Sequence, residues 1–137
     1  MARVLAIDPG TRRCGVAISD STRTMAFPRE ALSSETVTES VVRLVHDEGV
    51  DLVVVGRPVA LSGSETASTT LADELLSQLR EGLHDVPVVA LDERLTTTTA
   101  QRSLREAGVT SRKHRSRLDS AAAVVMLQSY LESQTRE

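Results

Sequence analysis

The sequence predicts an α/β fold: a mixed five-stranded sheet with helices on both faces. Three observations carry this expectation. After residue 33, short aliphatic runs alternate with helical repeats, which implies parallel strands joined by crossover helices. Before that point, closely spaced strand-like runs are separated by turn residues, which implies an antiparallel meander. The 137 residues are 40% apolar but only 1% aromatic, so the core must be built from Val, Leu, Ile and Ala.

Val4 to Asp8 reads as a strand, and Pro9-Gly10-Thr11-Arg12-Arg13 as the turn that follows it. Cys14 to Ser19 reads as a second strand. A third is expected near Met25 to Ala31, with Pro28 marking it as an edge. Ser33 or Ser34 is the expected cap of a helix whose apolar face holds Val37, Val41, Leu44 and Val45, ending at Gly49. Asp51 to Val55 is a short buried strand, expected beside the first. A Gly/Pro loop follows, Gly56 to Ser64. A second helix is expected over 65–79, with Gly82 beyond its end. Pro87 to Leu91 is the fifth strand. A third helix is expected over 97–107, stopped by Gly108, and a last one over 118–131, with Ala122, Val125, Met126 and Ser129 at helical spacing. No repeat or linker interrupts this order, so a single domain is expected over 1–137.

Composition narrows the chemistry. Phe27 and Tyr130 are the aromatic residues, too few for a platform that stacks unpaired bases. Cys14 is the single cysteine, which excludes a disulfide framework and a thiolate zinc site; it reads as a small buried or half-buried hydrophobe. No Ser-His-Asp or Cys-His nucleophile pattern stands out. The net charge of −3 is not that of a typical nucleic-acid binder, but a local basic patch suffices for one. No run approaches membrane-spanning length and no signal peptide is visible, so a cytoplasmic protein is expected, with no membrane partner.

Three acids stand in distinct local patterns. Asp8 closes the first aliphatic run and opens the Pro-Gly turn, where Gly10 and Thr11 offer donors to a phosphate. Glu93 follows the fifth strand in Leu91-Asp92-Glu93-Arg94. Asp119 opens the last helical repeat, directly after the basic run Arg112-Lys113-His114-Arg115-Ser116-Arg117. Each also suits a plain structural role, as turn initiator, cap neighbour or dipole partner. Adjacent strand residues point to opposite faces, so at most one of Asp92 and Glu93 shares a site with Asp8. Carboxylates at strand ends and a helix start, with no Cys or His cluster beside them, suit Mg²⁺ or Mn²⁺. The basic run suits a phosphodiester.

Together these residues resemble the YqgF family, also called RuvX, of Holliday-junction resolvases and pre-16S ribosomal RNA nucleases. Three segments carry the resemblance: Val4 to Ala17, Asp92 to Thr97, and Leu118 to Ala123 continuing to Glu132. It implies an RNase H-like fold in which three strands form a meander and two more add in parallel. It also implies a catalytic, metal-binding triad of Asp8, Glu93 and Asp119. One segment departs from the family pattern: Ala60 and Ser62 stand where the glycine-proline loop usually has Asn and Asp, and Arg57 stands where it usually has Leu.

The expected activity is metal-dependent hydrolysis of phosphodiester bonds in structured nucleic acid, either a ribosomal RNA precursor or branched DNA. Thr11, Arg12, Arg13, Arg57, Arg94, Arg115 and Arg117 are the candidate backbone contacts, which give salt-dependent and weakly sequence-specific binding. The rival expectation is a non-catalytic binding module on the same fold. Both a monomer and a homodimer are compatible with the sequence.

Overall fold

A computed structural model describes residues 3–58, 65–92 and 120–135. The expected helix over 97–107 lies outside them. Eight elements follow in chain order: β1 (Arg3–Asp8), β2 (Arg13–Ser19), β3 (Ala26–Ser33), α1 (Val37–Glu48), β4 (Val50–Arg57), α2 (Ala67–Gly82), β5 (Val88–Asp92) and α3 (Ala121–Thr135). Among the described residues the strands form one sheet in the order β3-β2-β1-β4-β5. β1, β2 and β3 pair antiparallel, and β4 and β5 add in parallel. This is the mixed sheet that the element order predicts. No helix among the described residues is long and apolar enough to cross a membrane.

The central strands are buried on both sides, which is why they read as continuous aliphatic runs. Val4, Leu5, Ala6 and Ile7 of β1 and Val53, Val54 and Val55 of β4 have no exposed surface. Leu5, Ile7, Val16, Val53 and Val55 pack under α1 and α2. Val4, Ala6, Ala17 and Val54 face the other way, against Ala123, Met126, Leu127 and Leu131 of α3. That second layer is rich in alanine, so α3 lies close on the sheet. β3 is an edge strand, which is where Pro28 and its missing N–H are tolerated.

Three local expectations are corrected. α1 begins at Val37 with Thr36 at its cap position and no side-chain cap bond. Ser33 is still in β3, and the Ser34 hydroxyl is committed to the Gly10 carbonyl at 2.7 Å. α2 starts later and runs further than expected: Thr66 and Thr69 form a reciprocal cap, and Gly82 is the last helical residue. A Cβ on Gly82 would come within 3.1 Å of a Val42 methyl, a tight contact between α2 and α1. Finally, the buried side of α3 is Ala123, Met126, Leu127 and Leu131; of the four residues picked out for helical spacing, Met126 is buried and Ala122, Val125 and Ser129 are only partly covered. Residues 121–127 are all apolar, so their periodicity contains no phase information. Gly49 does end α1 as expected, in the left-handed region with φ 67° and its N–H on the Val45 carbonyl.

Candidate active site

The strands β1, β4 and β5 are mutually parallel, so their C-terminal ends share one edge of the sheet. Asp8 is the last residue of β1 and is half-buried there. The turn after it is tightly held. A Cβ on Gly10 would lie 2.2 Å from the Arg13 carbonyl oxygen, so the backbone closes on itself where only glycine fits. Ser34 staples the same turn from β3's end: its hydroxyl donates to the Gly10 carbonyl at 2.7 Å and its N–H to the Arg12 carbonyl at 2.8 Å. The Cys14 thiol lies 3.8 Å from the Ser34 hydroxyl, and Cys14 is buried, as its sequence context predicts.

Asp8, Pro9, Gly10, Thr11, Arg12, Arg13 and Gly15 line an open polar depression at this edge. Thr11, Arg12 and Arg13 are exposed around it. One carboxylate therefore sits among two guanidinium groups, a hydroxyl and turn amides. The lining contains no Cys or His, so the donors it offers a cation are oxygens, which fits a hard divalent ion. Among the described residues no cluster of three or more His, Cys, Asp or Glu could by itself hold a metal.

Side-chain alternation sorts the neighbouring groups. Asp8 continues the Val4–Ala6 row, which faces α3. In β5, Val89 and Leu91 share that face, and Leu91 stands opposite Gly56. Arg57 and Asp92 stand opposite each other one step later, on the α2 face. Of the two adjacent acids, it is thus Asp92 that turns away from Asp8. Arg57 is engaged on its own side. Its Nε and Nη2 donate to the two carboxylate oxygens of Asp73 at 2.8 and 3.2 Å, and Nη2 reaches Glu65 at 3.2 Å. The bond to Asp73 holds the Arg57 guanidinium above its ordinary pKa and the Asp73 carboxyl below its own. The Thr69 hydroxyl also donates to the Pro58 carbonyl. These bonds tie the residues on either side of positions 59–64 to the first turns of α2.

The last contribution comes from the start of α3. Ser120 is fully buried between β2 and β3: it accepts from the Val16 N–H at 3.0 Å and donates to the Arg29 carbonyl at 2.7 Å. Val16 pairs with Ile7, and the adjacent Gly15 with Asp8. Of the residues picked out from sequence, the structure thus brings Asp8, Thr11, Arg12 and Arg13 together and places Arg57 apart. Glu93, Asp119, Arg94, Arg115, Arg117 and loop 59–64 lie outside the described residues. Ser34 and Ser120 are the contributors that sequence reasoning missed. For Ser120 the available signal was a serine immediately after Asp119 in the sequence.

The sequence pattern of the RuvX family, described as Holliday junction resolvase, matches residues 2–133. The chain belongs to the RuvX family. Its relatives include proteins provisionally named pre-16S rRNA nucleases. The one from Corynebacterium jeikeium is 42% identical over 98% of this chain and 88% of its own length. That from Mycobacteroides abscessus is 44% identical over 98% of this chain and 83% of its own length. Both descriptions are of enzymes that cut phosphodiester bonds, and this RuvX chain is a nuclease of that class. Among solved structures, Thermus thermophilus RuvC bound to a Holliday junction superposes with a TM-score of 0.64 at 16% identity, covering 99% of this chain and 97% of that one. At that identity the match shows a shared fold, the RNase H-like sheet that the resemblance implies.

Proposed function

We propose that this RuvX chain is a divalent-metal-dependent endonuclease for structured nucleic acid, with Asp8, Glu93 and Asp119 as its acidic set in one domain spanning 1–137. The observation that carries the reading is the convergence at one sheet edge of Asp8, the end of β5 and the start of α3. Glu93 is bonded to Asp92, which the register puts on the α2 face; continued alternation would return residue 93 to the face of Asp8. Asp119 is bonded to Ser120, which is fixed beside the Ile7–Val16 pair.

The three acids would hold Mg²⁺ or Mn²⁺, which when bound supplies an activated water and a stabilised leaving oxygen. The chain's own groups do the rest. Arg12 and Arg13 bind backbone phosphates on either side of the scissile one. Thr11 and the amides of the Gly10 turn orient it. The scarcity of aromatics leaves strand shape and backbone, not base stacking, to select the substrate. The relatives' names support a precursor of 16S ribosomal RNA as substrate and the family description supports a four-way DNA junction.

Both substrates should be offered side by side with Mg²⁺ or Mn²⁺, to wild type and to Asp8→Asn, Glu93→Gln and Asp119→Asn. Cleavage by wild type that chelator stops, that excess Mg²⁺ restores and that each substitution abolishes is the expected result. Binding without cleavage of either substrate would establish the non-catalytic module instead.

A further inference from the structure

The pairing of β2 with β3 shifts register between Cys14 and Val16. Such a bulge leaves ladder groups without their usual strand partners. Val16 and Arg29 are register partners here, yet the Val16 N–H and the Arg29 carbonyl are joined through a third group, the Ser120 hydroxyl, at 3.0 and 2.7 Å. That hydroxyl uses its one donor and an acceptor position in a fully buried setting. Further along α3, Gln128 makes the same kind of double contact. Its Oε1 accepts from the Ala26 N–H at 2.9 Å and its Nε2 donates to the Thr24 carbonyl at 3.0 Å.

Between these two pins the helix presents Ala123, Met126 and Leu127 to Ala6, Ala17 and Val54. Aliphatic contact of this kind is non-directional, so it holds the helix against the sheet without selecting one register along it. A slip of one residue would shift the helix by about 1.5 Å and turn it by about 100°. A carboxylate that has to reach the same ion as Asp8 would not tolerate such a displacement.

We infer that Ser120 is a positioning residue for the RuvX reaction: its hydroxyl, set into the β2–β3 bulge, fixes the start of α3 relative to β2, which pairs with the strand that carries Asp8. This rests on the acidic set proposed above. Asp119 follows from Ser120 by one peptide link, with about 3.8 Å between their Cα atoms. Gln128 pins the same helix at a point remote from the acids and provides the control.

Ser120→Ala removes a bridge between β2 and β3, and Gln128→Ala one between β3 and the turn before it. Cleavage kinetics, Mn²⁺ binding to the free protein followed by electron paramagnetic resonance, and amide exchange at Val16 separate them. Ser120→Ala is expected to lower kcat and weaken Mn²⁺ binding by about 10–100-fold, the usual effect of losing a group that orients a metal ligand. KM should hold, because the arginines are untouched, and the Val16 amide should lose protection. Gln128→Ala should lower Tm while leaving kcat and Mn²⁺ binding as in wild type. If Ser120→Ala does not fold, Ser120→Cys, nearly isosteric but a weaker hydrogen-bonding group, is expected to show a smaller loss of the same two quantities. Equal effects of the Ser120 and Gln128 variants on kcat and Mn²⁺ binding would overturn the inference. So would normal kcat in Ser120→Ala when Asp8→Asn is inactive. Normal cleavage by Asp8→Asn would instead remove the acidic-set reading beneath it.

Discussion

Replacing Arg12 and Arg13 together with Ala is expected to flatten the salt dependence of nucleic-acid binding, whereas Arg57→Ala is not. Arg12 and Arg13 are exposed around the depression that holds Asp8. Arg57 lies on the opposite face of the sheet with its guanidinium on Asp73 and Glu65, and reaching a phosphate would mean giving up those bonds. Each duplex phosphate contact contributes about 0.9 unit to the slope of log affinity against log salt, so two contribute about 1.8. Between about 50 and 200 mM salt, roughly 0.6 in log concentration, those contacts account for about 1.1 log units, or roughly a 12-fold change in affinity. Fluorescence anisotropy of a labelled branched duplex, titrated in chelator across this range, measures the slope without cleavage. Arg115→Ala with Arg117→Ala, in the basic run ahead of Asp119, is expected to flatten it as well. An unchanged slope in the Arg12/Arg13 variant would refute the phosphate-contact assignment. A flattening of about 0.9 in Arg57→Ala would show that Arg57 leaves Asp73 for the substrate.

Two predictions concern stability. Gly10→Ala puts a methyl group 2.2 Å from the Arg13 carbonyl, so the turn must move; a loss of about 1–3 kcal/mol in denaturant unfolding is expected, with cleavage reduced because Asp8 heads that turn. Unchanged unfolding would mean that the turn relaxes freely. The Asp73 carboxyl is held below its ordinary value of 3.8 by the bond from Arg57, so its contribution to stability is present above that pH and is lost as pH falls below it. The Tm difference between wild type and Asp73→Asn should therefore be constant near neutrality and narrow in acid below about pH 3.8, and it should shrink with added salt because the pair is exposed.

Much of the fold is legible in the chain because burial imposes simple patterns. Val4 to Ile7 and Val53 to Val55 are covered on both faces, so each reads as an unbroken aliphatic run, and the Pro-Gly turn and Pro28 mark the antiparallel side and its edge. Asp8 is visible for the same reason: a carboxylate ending such a run has to leave the core. The direction of Asp92 was open in the sequence, since either of two adjacent acids can face the site. It is decided by the pairing of Arg57 with Asp92, a contact between strands 35 positions apart in the chain. Arg57 read as a phosphate contact on the Gly/Pro loop; it is instead the last residue of β4, and only the packing of α2 beside that strand brings Asp73 to it. The phase of α3 was undetermined because its first turns are apolar on every side. Ser120 and Gln128 determine it through hydrogen bonds to β2, β3 and the turn between them, across separations of 91 to 104 residues. Local sequence sets which segments are buried, through the period of their apolar residues. Which polar groups meet at the sheet edge depends on strand register and helix docking, and those are set by contacts between segments remote in the chain.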